Sequence, residues 1–387
     1  MNKHKYGKGL KKRMNNTQEL LLLRVSQALF GIPDSTTLPK DVLEEAKVQT
    51  VSSLITNDYQ ALAKNIRCIA AHAELTKILK DLPFTTFKGY ASAFYYPIPE
   101  KRMMGDVDFI VAPDHYQEAV DRLLQYGWTR VKHDADHHET FSKSNVTFEL
   151  HWEINGVPNG VEGIKTEYVL AEKKVRELLA NLINTSITVE TQQGSIVIPD
   201  EFHHGLIMLL HVAGHMMNSG GIGLRHICDW AVFVNRIDLE KYRDILEESG
   251  LWTFACQLTA FSSAYLGLPE KSWAGEWPKI FLEDLKDDIF LAGNFSRKNP
   301  GRGSTLTVKA TSFADLVKKK VPFARNHSIL LPFAILYYLL HYVEHIFQGR
   351  AKLINLSTLR DINRRQRLYN QFRLFNNEGQ GEDMRQS

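Results

Sequence analysis

The sequence predicts an α+β protein: a small mixed sheet embedded in a largely helical chain, with a helical cap before it and a helical domain after it. Three observations carry this reading. Val107-Asp108-Phe109-Ile110-Val111 is a β-branched and aromatic run that closes at Pro113, which reads as a buried strand. Residues 17–81 and the chain after Pro199 repeat apolar side chains at helical spacing. Between them, residues 82–152 alternate strand, helix, strand, helix, strand, the order of a small mixed α/β unit.

Taken in order, residues 1–16 carry Lys3, Lys5, Lys8, Lys11, Lys12 and Arg13 and read as a basic, disordered arm. Residues 17–81 form the helical cap. A helix from Thr17 to Phe30 stops at Gly31-Ile32-Pro33, a second runs from Pro39 through Thr56, and a third from Tyr59 through Lys80. Residues 82–200 hold the sheet. Phe84-Thr85-Thr86-Phe87 is a short strand, Lys88-Gly89 a turn, and Tyr90 to Tyr96 a short helix. Asp114 is placed to cap a helix that Gly127 ends near Tyr126. Strands follow near Thr129–Lys132 and Val146–Trp152, and Ile187–Glu190 with Ser195–Ile198 reads as a hairpin. Residues 201–295 are a helical domain with a His/Arg motif. Residues 296–387 are a linker, an apolar helix and a basic C-terminal helix.

Composition narrows the class. Apolar residues make up 44% of the 387 positions and charged ones 24%, as in an ordinary globular chain of more than one core. A net charge of +3 is too small for bulk nucleic-acid binding. Cys68, Cys228 and Cys256 are scattered without metal spacing and read as buried thiols in a reducing, cytoplasmic setting. The stretch from Ser328 to Phe347 is apolar but is interrupted by Pro332, His341, Glu344 and His345. It falls short of the roughly 18 continuous apolar residues of a spanning helix, so a buried helix is expected instead. The basic terminal helix (Arg350, Lys352, Arg360, Arg364, Arg365, Arg367, Arg373) reads as a solvated face, with weak contact to an anionic lipid surface as its rival.

Chemistry concentrates around the acidic strand. Side chains alternate along a strand, so Asp106 and Asp108 project from one face, one pleat apart. The later strand can lay Glu149 beside them. Three carboxylates of this kind, with a Lys-Gly turn upstream, suit a hard divalent cation and a triphosphate. Lys88 can neutralise phosphate as a point charge, Gly89 allows close backbone approach, and Arg102 offers a two-pronged grip. Lys88 and Arg102 as plain surface cations are the competing reading.

Together, Phe87-Lys88-Gly89, Arg102, Gly105-Asp106-Val107-Asp108 and Phe148-Glu149-Leu150-His151-Trp152 resemble the uncharacterised nucleotidyltransferase family of the polymerase-β-like superfamily. The resemblance is close from Phe84 to Glu153 and looser over the later His/Gly-Leu-Arg/Asp-Trp segment. It implies that Asp106 and Asp108 hold Mg²⁺ (or Mn²⁺) and that Glu149 completes the metal site or acts as general base. It further implies that Lys88, Gly89, Arg102 and Gly105 meet the phosphates of an NTP. Where the wider superfamily carries a Gly-Ser pair, this chain has Lys88-Gly89-Tyr90, the version this family shows.

A second motif follows. His211 and His215 stand at i and i+4 and share a helix face. Val212 stands where a zinc protease needs Glu, which excludes that class. Arg225 and Asp229 are also i and i+4 and can pair with each other. With His151, these four residues are the candidate wall of a nucleotide or acceptor pocket, since a Gly-rich turn between two His/Arg helices is unusual for packing alone.

Transfer of a nucleoside monophosphate to a small-molecule, sugar or peptide acceptor is therefore the leading expectation. A nucleotide-binding or regulatory module without catalysis, on the same fold, is the alternative. A metal hydrolase built on His211 and His215 is a more distant rival.

Overall fold

In the computed structural model, which describes residues 3–32, 34, 36–131, 138–154, 156, 166–218, 221–294, 330–347, 367–368 and 370–375, the acidic strand β2 (Val107–Val111) lies inside a five-stranded mixed sheet. The strand order is β1-β2-β5-β4-β3, with β1 Phe84–Phe87, β3 Thr129–Val131, β4 His138–Lys143 and β5 Val146–His151. β2 is antiparallel to β1 and parallel to β5. The crossover from β2 to β5 runs through α6 (Tyr116–Gln125) and the β3-β4 ribbon.

The apolar residues of β2 explain its central place: Val107, Phe109 and Val111 are buried and join one core with Phe84, Phe148 and Leu150. Trp128 stacks on Phe148 with ring centres 3.6 Å apart. Helix α4 (Tyr59–Ile78) covers this sheet with Cys68, Ile69, Ala71, Leu75 and Ile78. The hairpin β6 (Ile187–Thr191) and β7 (Gly194–Ile198) forms where expected, and Thr86 Oγ1 donates to Val197 O at 2.6 Å to tie it to β1.

A second core is helical. It is built from α1 (Lys3–Phe30), α8 (Glu201–Asn218), α9 (Leu224–Arg236), α11 (Trp252–Leu266) and α12 (Lys279–Ala292). Trp230 is its largest fully buried side chain and donates its indole N–H to Thr259 at 2.9 Å. Phe372 and Phe375 return to this core from the far end of the chain, with Phe372 edge-on to Phe254.

Several expectations change. The helices of residues 17–81 pack in two places: α1 joins the helical core and α4 the sheet core. α1 begins at Lys3, so helix reaches into the segment read as a disordered arm, where polar lysines leave helical hydrogen bonding intact. The expected Pro39–Thr56 helix splits into α2 (Lys40–Val48) and α3 (Ser52–Ile55). Thr50 between them has φ +59°, and Gln49 Nε2 donates to Ile289 O at 3.3 Å, a tertiary contact that local propensity does not encode. Asp114 does not cap α6, because Pro113–His115 form a 3₁₀ turn that delivers the chain to Tyr116.

Strand β4 was not expected, since His-Glu-Thr-Phe-Ser-Lys is polar. It pairs with β5 across Ser144-Asn145, whose φ values of +50° and +63° belong to a tight hairpin turn. The apolar helix, α13 (Leu331–Phe347), is not the buried helix expected. Phe333, Leu336, Tyr337 and Leu340 recur at helical spacing on an exposed side. Among the described residues no helix is long and apolar enough to cross a membrane. The linker 296–305 and the basic stretch from Arg350 to Arg365 lie outside the described residues.

Candidate active site

The site grows from the strand register. β2 and β5 run parallel with Asp108 opposite Glu149, so adjacent strands hold the two carboxylates side by side. Asp106 sits just before β2 and is exposed, while Asp108 is buried. Period-two alternation on β5 puts His151 on the face of Glu149. Its Nε2 lies 3.0 Å from Asp108 Oδ1 and 3.5 Å from Glu149 Oε2. The Lys88 ammonium reaches the same Asp108 oxygen at 2.8 Å.

These charges decide one another's protonation. Burial alone would raise the Asp108 carboxyl, but the Lys88 charge and the His151 hydrogen bond outweigh it and hold it below the usual range. Glu149 is likewise lowered against its desolvation, chiefly by His151. At Asp106 the Lys88 charge is outweighed. Surrounding protein and the neighbouring charges of Asp108 and Glu149 push it up to about 6. His151 is raised despite burial, because it gives hydrogen bonds to Asp108 and Glu149.

The turn that carries Lys88 is strained. Lys88 has φ +58° and ψ −129°, a backbone region that favours glycine. Beside it, Gly89 has φ +25°, and a Cβ there would lie 2.7 Å from His72 Nε2. His72 is buried in α4; its Nδ1 is 2.8 Å from Cys68 O, and its Nε2 accepts the N–H of Tyr90 at 3.3 Å. Gly89 is therefore required by a histidine packed beneath the turn. Sequence reading missed His72, whose only signal is a polar residue on the apolar face of α4.

Arg102 is placed differently from the phosphate grip expected of it. It is buried, with Nε and Nη2 each 2.7 Å from the two oxygens of Asp229, and Nη1 3.0 Å from Gly89 O. Tyr96 adds a 2.7 Å hydrogen bond to the same carboxylate. Asp229 thus takes Arg102 as its bidentate partner, where the i, i+4 spacing had suggested Arg225. This clamp fixes α9 to the loop that enters the acidic strand. Gly105 lies in open space, with no steric need for glycine.

His211 and His215 on α8, and Arg225 on α9, gather on the same side of the molecule. The charge of Lys88 reaches both histidines, and that of Asp106 reaches Arg225. Gly223 in the Gly-rich turn has a packing reason after all, since a Cβ there would lie 2.6 Å from Asn294 Cα. Two further histidines escaped the sequence reading. His138 on β4 lies opposite His151, with ring centres 4.9 Å apart, and its Nε2 is 3.7 Å from Glu149. His226 on α9 is buried 5.4 Å, ring to ring, from both His211 and His215.

The donor set fits a hard divalent cation. Asp108 and Glu149 stand opposite each other on adjacent strands, burial and the negative charge of both raise Asp106, and both bonds to Asp108 among the described residues fall on Oδ1. Asp106, Asp108 and Glu149 are the residues that would hold it.

Comparison with curated proteins and with solved structures finds no match. The model of one family, described as an uncharacterised nucleotidyltransferase, matches residues 24–267, a span that holds the sheet, the acidic residues, α8 and α9. The sequence match thus covers the region in which Lys88, Asp106, Asp108 and Glu149 meet, and the chain belongs to this nucleotidyltransferase family.

Proposed function

We propose that the protein transfers a nucleoside monophosphate from an NTP to a small-molecule, sugar or peptide acceptor, with release of pyrophosphate, in a reaction dependent on Mg²⁺ or Mn²⁺. The observation that carries this is the register of Asp108 with Glu149 on adjacent parallel strands, with Asp106 two residues away and within reach of both charges.

Asp106, Asp108 and Glu149 would hold the cation, whose chemistry there is to screen phosphate charge and polarise the acceptor oxygen. Lys88 is close enough to Asp108 to hand its charge to a phosphate oxygen when an NTP enters. Glu149, flanked by His138 and His151, takes the proton of the acceptor hydroxyl. The acceptor oxygen bonds to the α-phosphorus, the bond from that phosphorus to the bridging oxygen breaks, and pyrophosphate leaves with the electron pair. The Arg102–Asp229 clamp takes no part in these transfers; it holds the Lys88 turn against α9.

The test is to incubate the purified protein with each of the four NTPs, Mg²⁺ and a metabolite extract, and to measure pyrophosphate and products one nucleotide unit heavier. Both are expected from the wild type, and neither from Asp106→Asn with Asp108→Asn. Turnover unchanged in that double variant overturns the reading. NTP binding without pyrophosphate release under any acceptor supports the non-catalytic module instead.

A further inference from the structure

We propose that His211, His215 and His226 form a second cation site, separate from the carboxylates, that takes a first-row transition ion of the Zn²⁺ class through three imidazole nitrogens. It goes beyond the nucleotidyl-transfer reading and does not depend on it.

The geometry of the rings carries the proposal. One donor nitrogen from each histidine lies within 4.8 Å of the other two. The ring centres are 4.4 Å apart for His211–His215 and 5.4 Å for each pairing with His226. Zinc bonds imidazole nitrogen at about 2.0–2.1 Å, which puts each ring centre roughly 3.2 Å from the ion. At a tetrahedral angle, two such rings stand about 5.2 Å apart, centre to centre. The observed triangle brackets that value, so small ring rotations bring the three nitrogens onto one ion.

The elements explain why the triangle forms. His211 and His215 share the face of α8 because they are one turn apart. His226 sits in the first turn of α9, where its Nδ1 accepts the N–H of Gly223 at 3.2 Å and lies 3.4 Å from Gly223 O. Binding an ion through Nε2 moves the ring proton to Nδ1, which then gives up the Gly223 N–H and donates to the Gly223 carbonyl, the second-sphere arrangement of a metal-bound histidine. Burial lowers all three imidazoles, so they are neutral donors near pH 7. His211 and His215 retain solvent exposure, which gives an ion a way in.

The donor chemistry separates this site from the other one. Three nitrogen donors without a carboxylate select Zn²⁺, Co²⁺ or Ni²⁺ over Mg²⁺. The nearby charges of Lys88 and Arg225 oppose a bare cation but favour an anion in its fourth position. Such an anion is hydroxide or a phosphate oxygen.

The experiment loads the full chain with Zn²⁺, dialyses it, and measures bound metal; a parallel sample is loaded with Co²⁺ and its visible spectrum recorded. One tightly held equivalent is expected, with the intense visible bands of tetrahedral Co²⁺. His211→Ala and His226→Ala are expected to weaken retention by more than the roughly 10–100-fold that outer-shell partners of a metal are worth. His138→Ala, which alters the separate His138–Glu149–His151 group, is expected to leave it intact. Failure of the wild type to hold an equivalent overturns the site, as does an equivalent that departs with His138→Ala and stays in His211→Ala. Should the alanine variants not fold, the wild-type Co²⁺ spectrum decides: weak octahedral bands overturn the site and intense tetrahedral bands support it.

Discussion

Lys88 Nζ lies 2.8 Å from Asp108 Oδ1, although Lys88 is held in a backbone conformation, φ +58° and ψ −129°, that disfavours any residue with a Cβ. A charged side chain is thus kept at a strained turn, aimed at a buried carboxylate. The strain is separable from the charge. Lys88→Gly and Lys88→Ala both remove the ammonium, yet only glycine relieves the backbone. Lys88→Gly is expected to be more stable than Lys88→Ala by about 1–3 kcal/mol in denaturant unfolding, while both lose nucleotidyl transfer. Equal stability of the two variants would show that the turn carries no strain.

The turn also depends on His72. Gly89→Ala places a Cβ against the imidazole Nε2 and is expected to destabilise the protein by about 1–3 kcal/mol. Removing the obstacle in the double variant Gly89→Ala, His72→Ala is expected to cost less than the two single changes summed. A double-mutant cycle measures this coupling, and strict additivity would exclude the contact.

Arg102 and Asp229 form a buried, bidentate pair, so taking away one partner strands the other charge. Asp229→Asn is expected to lower stability by about 3–5 kcal/mol, and Arg102→Lys to lose much of the same interaction because an ammonium cannot make the fork. Chemical denaturation of both variants checks this. A loss under about 1 kcal/mol would place the pair among weak surface contacts.

Asp106 gives a pH signature. Its carboxyl lies at about 6 in the folded protein against an ordinary 3.8, so between these values the folded state holds more proton than the unfolded one. Its contribution therefore falls as pH rises from about 4 to about 6, and is flat beyond. Unfolding curves of the wild type and Asp106→Asn across this window are expected to diverge in favour of the asparagine variant as pH rises. Saturating Mg²⁺ or Mn²⁺ is expected to close the gap at pH 7 by neutralising the carboxylates. A constant difference across the window would remove Asp106 from the carboxylate cluster.

How much was legible beforehand follows from the range of each interaction. Asp108 stands on the strand with Asp106 two residues before it, and His211 and His215 stand one turn apart on a helix, so short sequence spacing alone keeps each pair near one another. Glu149 needed one further step, the expectation that its strand pairs with β2, and the register supplies it. The pairing of Arg102 with Asp229 was not legible, because a guanidinium looks the same in sequence whether it meets phosphate or a carboxylate 127 positions away. Strand β4 escaped because its side chains are polar and its identity comes from pairing with β5.

By itself, the sequence determined the α+β class, the Lys-Gly turn, the acidic strand and the resemblance to the nucleotidyltransferase family, since all of these rest on residue types at short, regular spacing. Tertiary structure alone decided that Asp229 pairs with Arg102, that His72 packs beneath Gly89, and that His226 joins His211 and His215. It also divided the N-terminal helices between two cores. The physical reason is common to these cases. Local propensity and periodicity are properties of neighbouring residues, whereas a buried charge or imidazole takes whichever partner the packing of distant elements brings within a few ångströms.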